Sequence, residues 1–433
     1  MPRGVLLRVL GVGFGLVVAI GGTVGAGILR APGAVAELVP QRQLALLLWV
    51  VGGLYATCSA VGLAELAAMS PRAGGYTIYA RRALGPWPAF VVGWADWFAS
   101  CGSAAALAIF FADTIEARTA ISRSAHHALA VGAVLAFTAL QLGGVKWGSR
   151  AQHLTTVAKA LGFLALIAAC FLLPARGAAS VRVVPSGAAL LGATTLALQQ
   201  VVWTFDGWHG SIYFAEELEH PGRALPRAIL GTVALVTVLY VLVNVAMWRA
   251  LPVDAMARVN VPANLIVEQT MGARGHAALD ALIAVSVLST LNSLLLGAPR
   301  VLFGLAENDL FTRRALSVNS GGTPWVGLLA SAALVVGFAL SGAFDWVIGV
   351  TSVFLVAIGS LMAFCVFVLR LREPDAPRPY RAWGYPFTTG ISLACGLAFL
   401  IAAIVGAPKT GLVALAMLAA SVPVYLMSTR GRS

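Results

Sequence analysis

Two short stretches of this 433-residue sequence carry residue types that chemistry uses and lipid resists. The first, AIGGTVGAGILRAPG (19–33), sets Thr23 and a run of glycines inside an apolar segment; the second, WTFDGWHG (203–210), sets Asp206 and His209 inside another. Lys159 stands nearly alone in a third apolar run. Catalysis asks for more than this. No His or Cys pair has metal-ligand spacing, and no Ser, His and Asp set can be placed on one side of the apolar segments. The five cysteines (58, 101, 170, 365 and 395) lie within apolar runs without CxxC or CxxH spacing and read as small buried hydrophobes. The sequence points away from an enzyme, and no metal or cofactor is expected.

The elements that must position these residues are membrane helices. The chain is 59% hydrophobic and 11% charged, a balance that leaves a water-soluble globule unable to cover its apolar surface. Residues 44–64, 228–248, 346–369 and 388–408 hold no Asp, Glu, Lys, Arg or His, and each meets the roughly 20 residues that a spanning helix needs. Punctuation by charge, proline and glycine divides the chain into about 12 spans, giving an all-α integral membrane fold in a single transmembrane domain over 1–433. The first run starts within ten residues of Met1 without a small-residue cleavage pattern and is expected to be retained. The net charge of +12 is scattered over helix ends, with no basic stripe interleaved with aromatics, so nucleic acid is not an expected partner. With the N-terminus inside, the inner connections collect 18 Lys/Arg and the outer ones 10, which places both termini in the cytoplasm.

The first and sixth spans break the pattern. Gly21, Gly22, Gly25 and Gly27 weaken the first helix, each by up to about 1 kcal/mol relative to alanine, and Thr23 competes for backbone hydrogen bonds. Gly21 and Gly25 also stand in GxxxG spacing, which fits close helix packing equally well. Asp206 in the sixth span is costly in lipid unless it faces a cavity or a partner. Taken together, the two breaks fall on corresponding helices if residues 9–174 and 188–369 are five-helix repeats, with 386–428 as two added helices. Five helices per copy would invert the second copy, which is the 5+5 inverted-repeat plan with discontinuous helices 1 and 6 at the midplane. Unwinding bares amides at the start of one half-helix and carbonyls at the end of the other, and lipid satisfies neither. A zwitterion does: its carboxylate would take the amides around Ala26, Gly27 and Ile28, and its ammonium the carbonyls near Thr23 and from Trp203 to Asp206.

GTVGAGI (22–28), PRAGGYTIYARRALG (71–85), YFAEELEHPGRALPRAI (213–229), NSLLLGAPRVLFGLAENDLF (292–311) and RPYRAWGYP (378–386) resemble the amino acid-polyamine-organocation superfamily of transporters, in its L-type amino acid transporter-like bacterial branch. The resemblance implies alternating access with an amino acid between helices 1 and 6. Gly25, Ala26 and Gly27 would hold its carboxylate, the carbonyls of Thr23, Trp203 and Phe205 its ammonium, and Trp203 would close over it. Asp206, Gly207 and His209 complete the expected substrate site. Lys159 either snorkels to the interface or, as the resemblance implies, stands beside the unwound first helix in place of a sodium ion. Ser289, Thr290 and Ser293 could instead help form a cation site, and Asn292 lies among them as a further support of the break. Glu216, Glu217 and Arg223, with Glu219, His220 and Arg227, read either as a solvated turn or as an ion-pair network that closes one gate.

Departures from the family pattern matter too. Ala26 stands for a common serine, Leu29 with Arg30 for a phenylalanine and a neutral residue, His209 for a neutral amide and His220 for an asparagine. The expected function is secondary transport, by exchange or facilitation, of neutral L-amino acids. The alternatives are a proton-coupled or antiport carrier of cationic amino acids or polyamines that uses Asp206, and a non-transporting amino acid sensor. The partners are the substrate and the lipid bilayer. No obligate disulfide-linked subunit is expected, because no cysteine sits in an outer loop. The expected home is the cell inner (cytoplasmic) membrane.

Overall fold

The computed structural model describes residues 6, 8, 10–116, 119, 121–175, 186–342 and 344–430. The start of the first repeat at residue 9 and most of the 174–188 connection lie outside the described residues. The described residues form helices α1 (Val12–Thr23), α2 (Gly27–Leu38), α3 (Arg42–Met69), α4 (Tyr76–Leu84), α5 (Pro86–Glu116), α6 (Arg123–Leu142), α7 (Val145–Leu172), α8 (Gly187–Thr204), α9 (Pro221–Ala250), α10 (Val253–Ala257), α11 (Ala263–Met271), α12 (Ala273–Glu307), α13 (Trp325–Leu340), α14 (Phe344–Arg372), α15 (Phe387–Gly406), α16 (Pro408–Ala419) and α17 (Ser421–Arg430). There is no β-strand among the described residues; one isolated bridge joins Leu10 to Leu218.

Among the described residues nine helices are long and apolar enough to cross a membrane, or ten when α1 and α2 are taken as one span bent by 44°. The sixth and ninth expected spans contain the shorter helices α8 and α13, of 18 and 16 residues. Connections expected to be loops fold partly into α4, α10 and α11. The helices pack through small residues, since nothing in lipid drives apolar faces together and close backbone approach supplies the attraction. α12 is approached in this way from two sides: a Cβ at Gly93 of α5 would meet Leu305, and one at Gly304 would run into Gly74, just before α4.

The bundle has a basal end, where α3 finishes and α4 lies, and an apical end, which carries α10. At the basal end Glu65 accepts from Arg370 at 2.8 and 2.6 Å, from Arg378 at 3.1 Å and from the Ala382 amide at 2.6 Å, pinning the 373–386 connection. Outside the spans, Arg82 donates to Glu373 at 2.6 and 3.1 Å, and these bonds hold the Glu373 carboxyl below its usual range.

The sixth span is interrupted as expected, but its second half is not the expected half-helix. α8 stops at Thr204, residues 205–209 form turns, and Gly210–Phe214 is a 3-10 turn. Gly207 at φ 109° is the cause: its mirror-image backbone ends α8 and is open to glycine at no steric cost.

Candidate functional site

The two breaks touch. A Cβ at Gly207 would come within 2.8 Å of the Gly22 carbonyl carbon and oxygen, so the backbone of one break rests on that of the other. Gly21 is equally confined, because a Cβ there would run into Gln152 and Thr156. Gly25 and Gly27 differ: their added Cβ atoms would meet nothing closer than 3.6 Å. Protein packing does not demand glycine at those two places. What their bare backbone leaves is access from the cavity.

The carbonyls at the end of α1 are already served by protein donors. Lys159, buried, extends its Nζ to the oxygens of Gly21 at 2.7 Å and Val24 at 2.6 Å. Thr290 donates to Gly21 at 3.1 Å, Ser293 to Val18 at 2.9 Å and Thr156 to Val17 at 3.3 Å. The Tyr240 hydroxyl lies 3.0 Å from the oxygens of both Thr23 and Thr204 and ties the two breaks together. The Thr23 oxygen also accepts from the Gly25 amide at 2.9 Å, and the Trp203 oxygen from the Asp206 amide at 3.2 Å. Of the three carbonyls expected to meet an ammonium, those of Thr23 and Trp203 are therefore engaged, whereas that of Phe205 makes no backbone hydrogen bond outside a helix, nor does that of Asp206. On the donor side the amides of Ala26, Gly27 and Ile28 have no such bond either. They open α2, where first-turn amides stand free and the helix dipole is positive.

Between the breaks, α5, α12 and α14 lies a cavity of about 410 Å3, within the range of small-molecule sites. Gly22, Thr23, Gly25, Ala26, Gly27, Trp203, Asp206, Gly207 and His209 all line it. Ile28 is buried and lends only its amide. Phe205 packs instead against Trp49 and Tyr240. Asp206 is 41% exposed, with His209 Nδ1 3.9 Å from its carboxylate.

Asn292 does not reach the break. Its amide donates to Gln152 at 2.8 Å and to the Gly148 oxygen at 3.2 Å, and it accepts from Gln141 at 3.0 Å. Gln152 in turn donates to Ser289 at 3.2 Å and Thr156 at 3.3 Å, so Asn292 acts on the first helix only through intermediaries. The expected network of Glu216, Glu217 and Arg223 is also rearranged. Arg223 is exposed and Glu216 half-buried, while Glu217 clasps Arg300 of α12, both essentially buried, with Nη2 2.9 Å from Oε2 and a closer contact from Nε. The guanidinium stands 4.2 Å over the Phe214 ring. On either side of Leu218 the chain pairs with Leu10: the Leu10 amide donates to the Glu217 oxygen at 3.0 Å and the Glu219 amide to the Leu10 oxygen at 3.1 Å.

Sequence reasoning missed Arg300, Tyr240 and Asp96, a buried acid of α5 that accepts from the Tyr213 hydroxyl at 2.8 Å. The signal was present for two of them, since an ionisable residue inside an apolar helix asks for a partner. The apical ends of α5 and α6 bring Asp113, Glu116 and His126 together, a grouping with metal-ligand chemistry that spacing along the chain did not reveal. His126 there bonds Asp113 at 2.7 Å, which satisfies both without an ion.

Residues 7–427 match the model of a family described as amino acid permease. The chain is similar to the serine/threonine exchanger SteT of Bacillus subtilis, 27% identical over 402 residues that cover 90% of this chain and 89% of the relative. It is 31% identical to the human b(0,+)-type amino acid transporter 1 over 248 residues, 56% of this chain and 51% of the relative. The polyamine transporter PUT1 of rice is 29% identical over 370 residues, covering 81% and 67%.

Proposed function

Because the chain belongs to the amino acid permease family, and so is a multi-pass membrane transporter and not an enzyme, we propose that it exchanges or facilitates the passage of neutral L-amino acids by alternating access. The carrying observation is the pair of breaks that meet at Gly22 and Gly207 beside the cavity, with the Ala26, Gly27 and Ile28 amides and the Phe205 and Asp206 carbonyls left without backbone partners. The substrate carboxylate sits on the amides and the α2 dipole. Its ammonium takes the carbonyls of Phe205 and Asp206, Thr23 and Trp203 being already engaged. Trp203 closes over the bound molecule. The likeness to the exchanger SteT supports exchange.

Lys159 bonds the carbonyls that a sodium ion would need, which supports transport without sodium. Replacing sodium by choline should leave the flux of labelled substrate unchanged, and a collapse of flux rejects that point. The five-plus-five inverted repeat, the cytoplasmic termini and the inner-membrane setting belong to the same proposal. No cysteine-linked subunit is part of it, since all five cysteines lie within helices.

The test begins with thermal stability of the purified protein against the twenty amino acids and common polyamines, since a ligand of the native state raises apparent stability. Exchange of the stabilising, labelled ligand in reconstituted vesicles follows. Stabilisation without exchange would make the protein a sensor; neither response rejects the reading.

The half-exposed Asp206 carboxylate, with no Lys or Arg ion pair among the described residues, favours a second reading, in which it neutralises a cationic amino acid or polyamine or carries a proton. Asp206→Asn separates the two. A neutral substrate should exchange within a few-fold of wild type, whereas a cationic one should be lost.

A further inference from the structure

A second cavity, of about 150 Å3, lies on the other side of the sixth-helix break, between α3, α8, α14 and α15. Four residues line both cavities: Trp203, Asp206, His209 and Leu355. They stand between the two spaces, and the indole of Trp203, 37% exposed at the end of α8, is the largest side chain among them. Beyond it the walls are mainly apolar, with Val202, Val356, Met362 and Phe399. The hydroxyls of Ser59 and Ser392 satisfy each other at 2.8 Å and offer little to a charged end.

Resting on the proposed function, we infer that this side cavity is a specificity compartment that admits the bulky apolar side chain, aromatic or long aliphatic, of an amino acid held at the two breaks. The unpartnered carbonyls of Phe205 and Asp206 fix the amino end of the substrate at the partition itself. A side chain leaving the α-carbon there meets either the central cavity or, once the indole turns aside, the apolar pocket. A small side chain gains nothing from the pocket and stays in the central cavity. A large one removes apolar surface from water by entering it, and that difference sets the preference.

Gly359 makes the inference testable. It lines the side cavity and not the central one, and a Cβ added there meets nothing within 4 Å. Gly359→Leu therefore adds bulk at the pocket wall with open space around its Cβ, and it replaces glycine by a good helix former inside α14, which favours folding. In vesicles, exchange of labelled phenylalanine should fall about tenfold or more, as expected when an apolar pocket is denied to its side chain. Serine exchange should stay within about twofold, and serine-induced thermal stabilisation should persist. Phe399→Ala, which widens the same pocket by removing the ring that packs on Tyr55 at 6.0 Å, should shift preference the other way. The inference is overturned if Gly359→Leu spares phenylalanine exchange or slows serine equally, or if wild type exchanges serine and never phenylalanine. It also fails if mass spectrometry finds a phospholipid held by wild type and lost from Gly359→Leu with substrate preference unchanged, since the pocket then belongs to lipid. A wild-type protein that binds and exchanges no amino acid sinks the proposed function first.

Discussion

The two breaks face each other, yet they are held in opposite ways. The first is gripped: Lys159, Thr290, Ser293, Thr156 and Tyr240 serve the carbonyls from Val17 to Val24, and Lys159 brings a charge to two of them. The second is hardly held by side chains at all. Tyr240 reaches the Thr204 oxygen, and the Asp206 carboxylate has His209 Nδ1 at 3.9 Å and, among the described residues, no Lys or Arg ion pair. The difference separates two roles of unwound backbone. A carbonyl cluster that no ligand serves must be satisfied permanently, since each unpaired group costs about 1–3 kcal/mol in a water-free interior. Backbone that must change partners during a cycle is left with few fixed bonds. The first break reads as platform, the second as the part that moves over it.

Removing Lys159 strikes the platform hardest. Lys159→Met keeps length and loses both charge-assisted bonds, so stability should fall by about 3 kcal/mol or more, read as melting temperature in detergent, with exchange abolished. An unchanged melting temperature would dissolve the contrast. Next comes a pair of glycines. Gly207→Ala combines a positive φ with a collision against the Gly22 backbone and should cost about 2 kcal/mol or more. Gly27→Ala, with ordinary contact to Thr204 at 3.6 Å, should fold normally and lose ligand-induced stabilisation. If both variants behave alike, the distinction between packing glycine and access glycine is wrong. Tyr240→Phe, which removes the one hydroxyl shared by the two breaks, should cost about 1 kcal/mol and weaken exchange, measured by melting and by vesicle flux.

The smallest effect serves as a control away from both breaks. Because Arg82 depresses the Glu373 carboxyl, that pair contributes above the unfolded value near pH ~4.3 and loses its contribution as pH falls through the lower folded value. Both side chains are about a third exposed, so the contribution is about 0.5 kcal/mol. The melting difference between wild type and Arg82→Ala should shrink below about pH 4, with exchange at neutral pH unaffected.

How much of this was legible in the sequence depended on whether the message was local. Gly21 to Gly27 and Asp206 to Gly210 announce broken helices within a few residues, because glycine and a lone acid inside an apolar run are locally unstable. Lys159 was visible for the same reason, although its snorkelling alternative fell only when the buried contacts to Gly21 and Val24 were seen. The partner of Glu217 was not legible. Charges close in sequence suggested Arg223, whereas Arg300 stands 83 residues away and meets Glu217 only because α12 packs against the 3-10 turn. Tyr240 was hidden in another way: one tyrosine in an apolar helix reads as core until the two carbonyls at its hydroxyl are located. The side cavity was legible only at the wall formed by residues 203–209, since the rest of its lining comes from separate helices that share no motif.

The bridge between Leu10 and Leu218 has a mechanical consequence. Its two main-chain bonds flank Leu218, and one of them is made by Glu217, whose carboxylate is locked to Arg300, so the lead-in to helix one and the tail of helix six are clipped together and to α12 at one spot. Parting any of the three strains the other two, and the basal side then lets go as a unit or stays shut. If the proposed alternating access opens the protein at this end, a mouth that unfastens all at once has no half-ajar posture through which ions could slip.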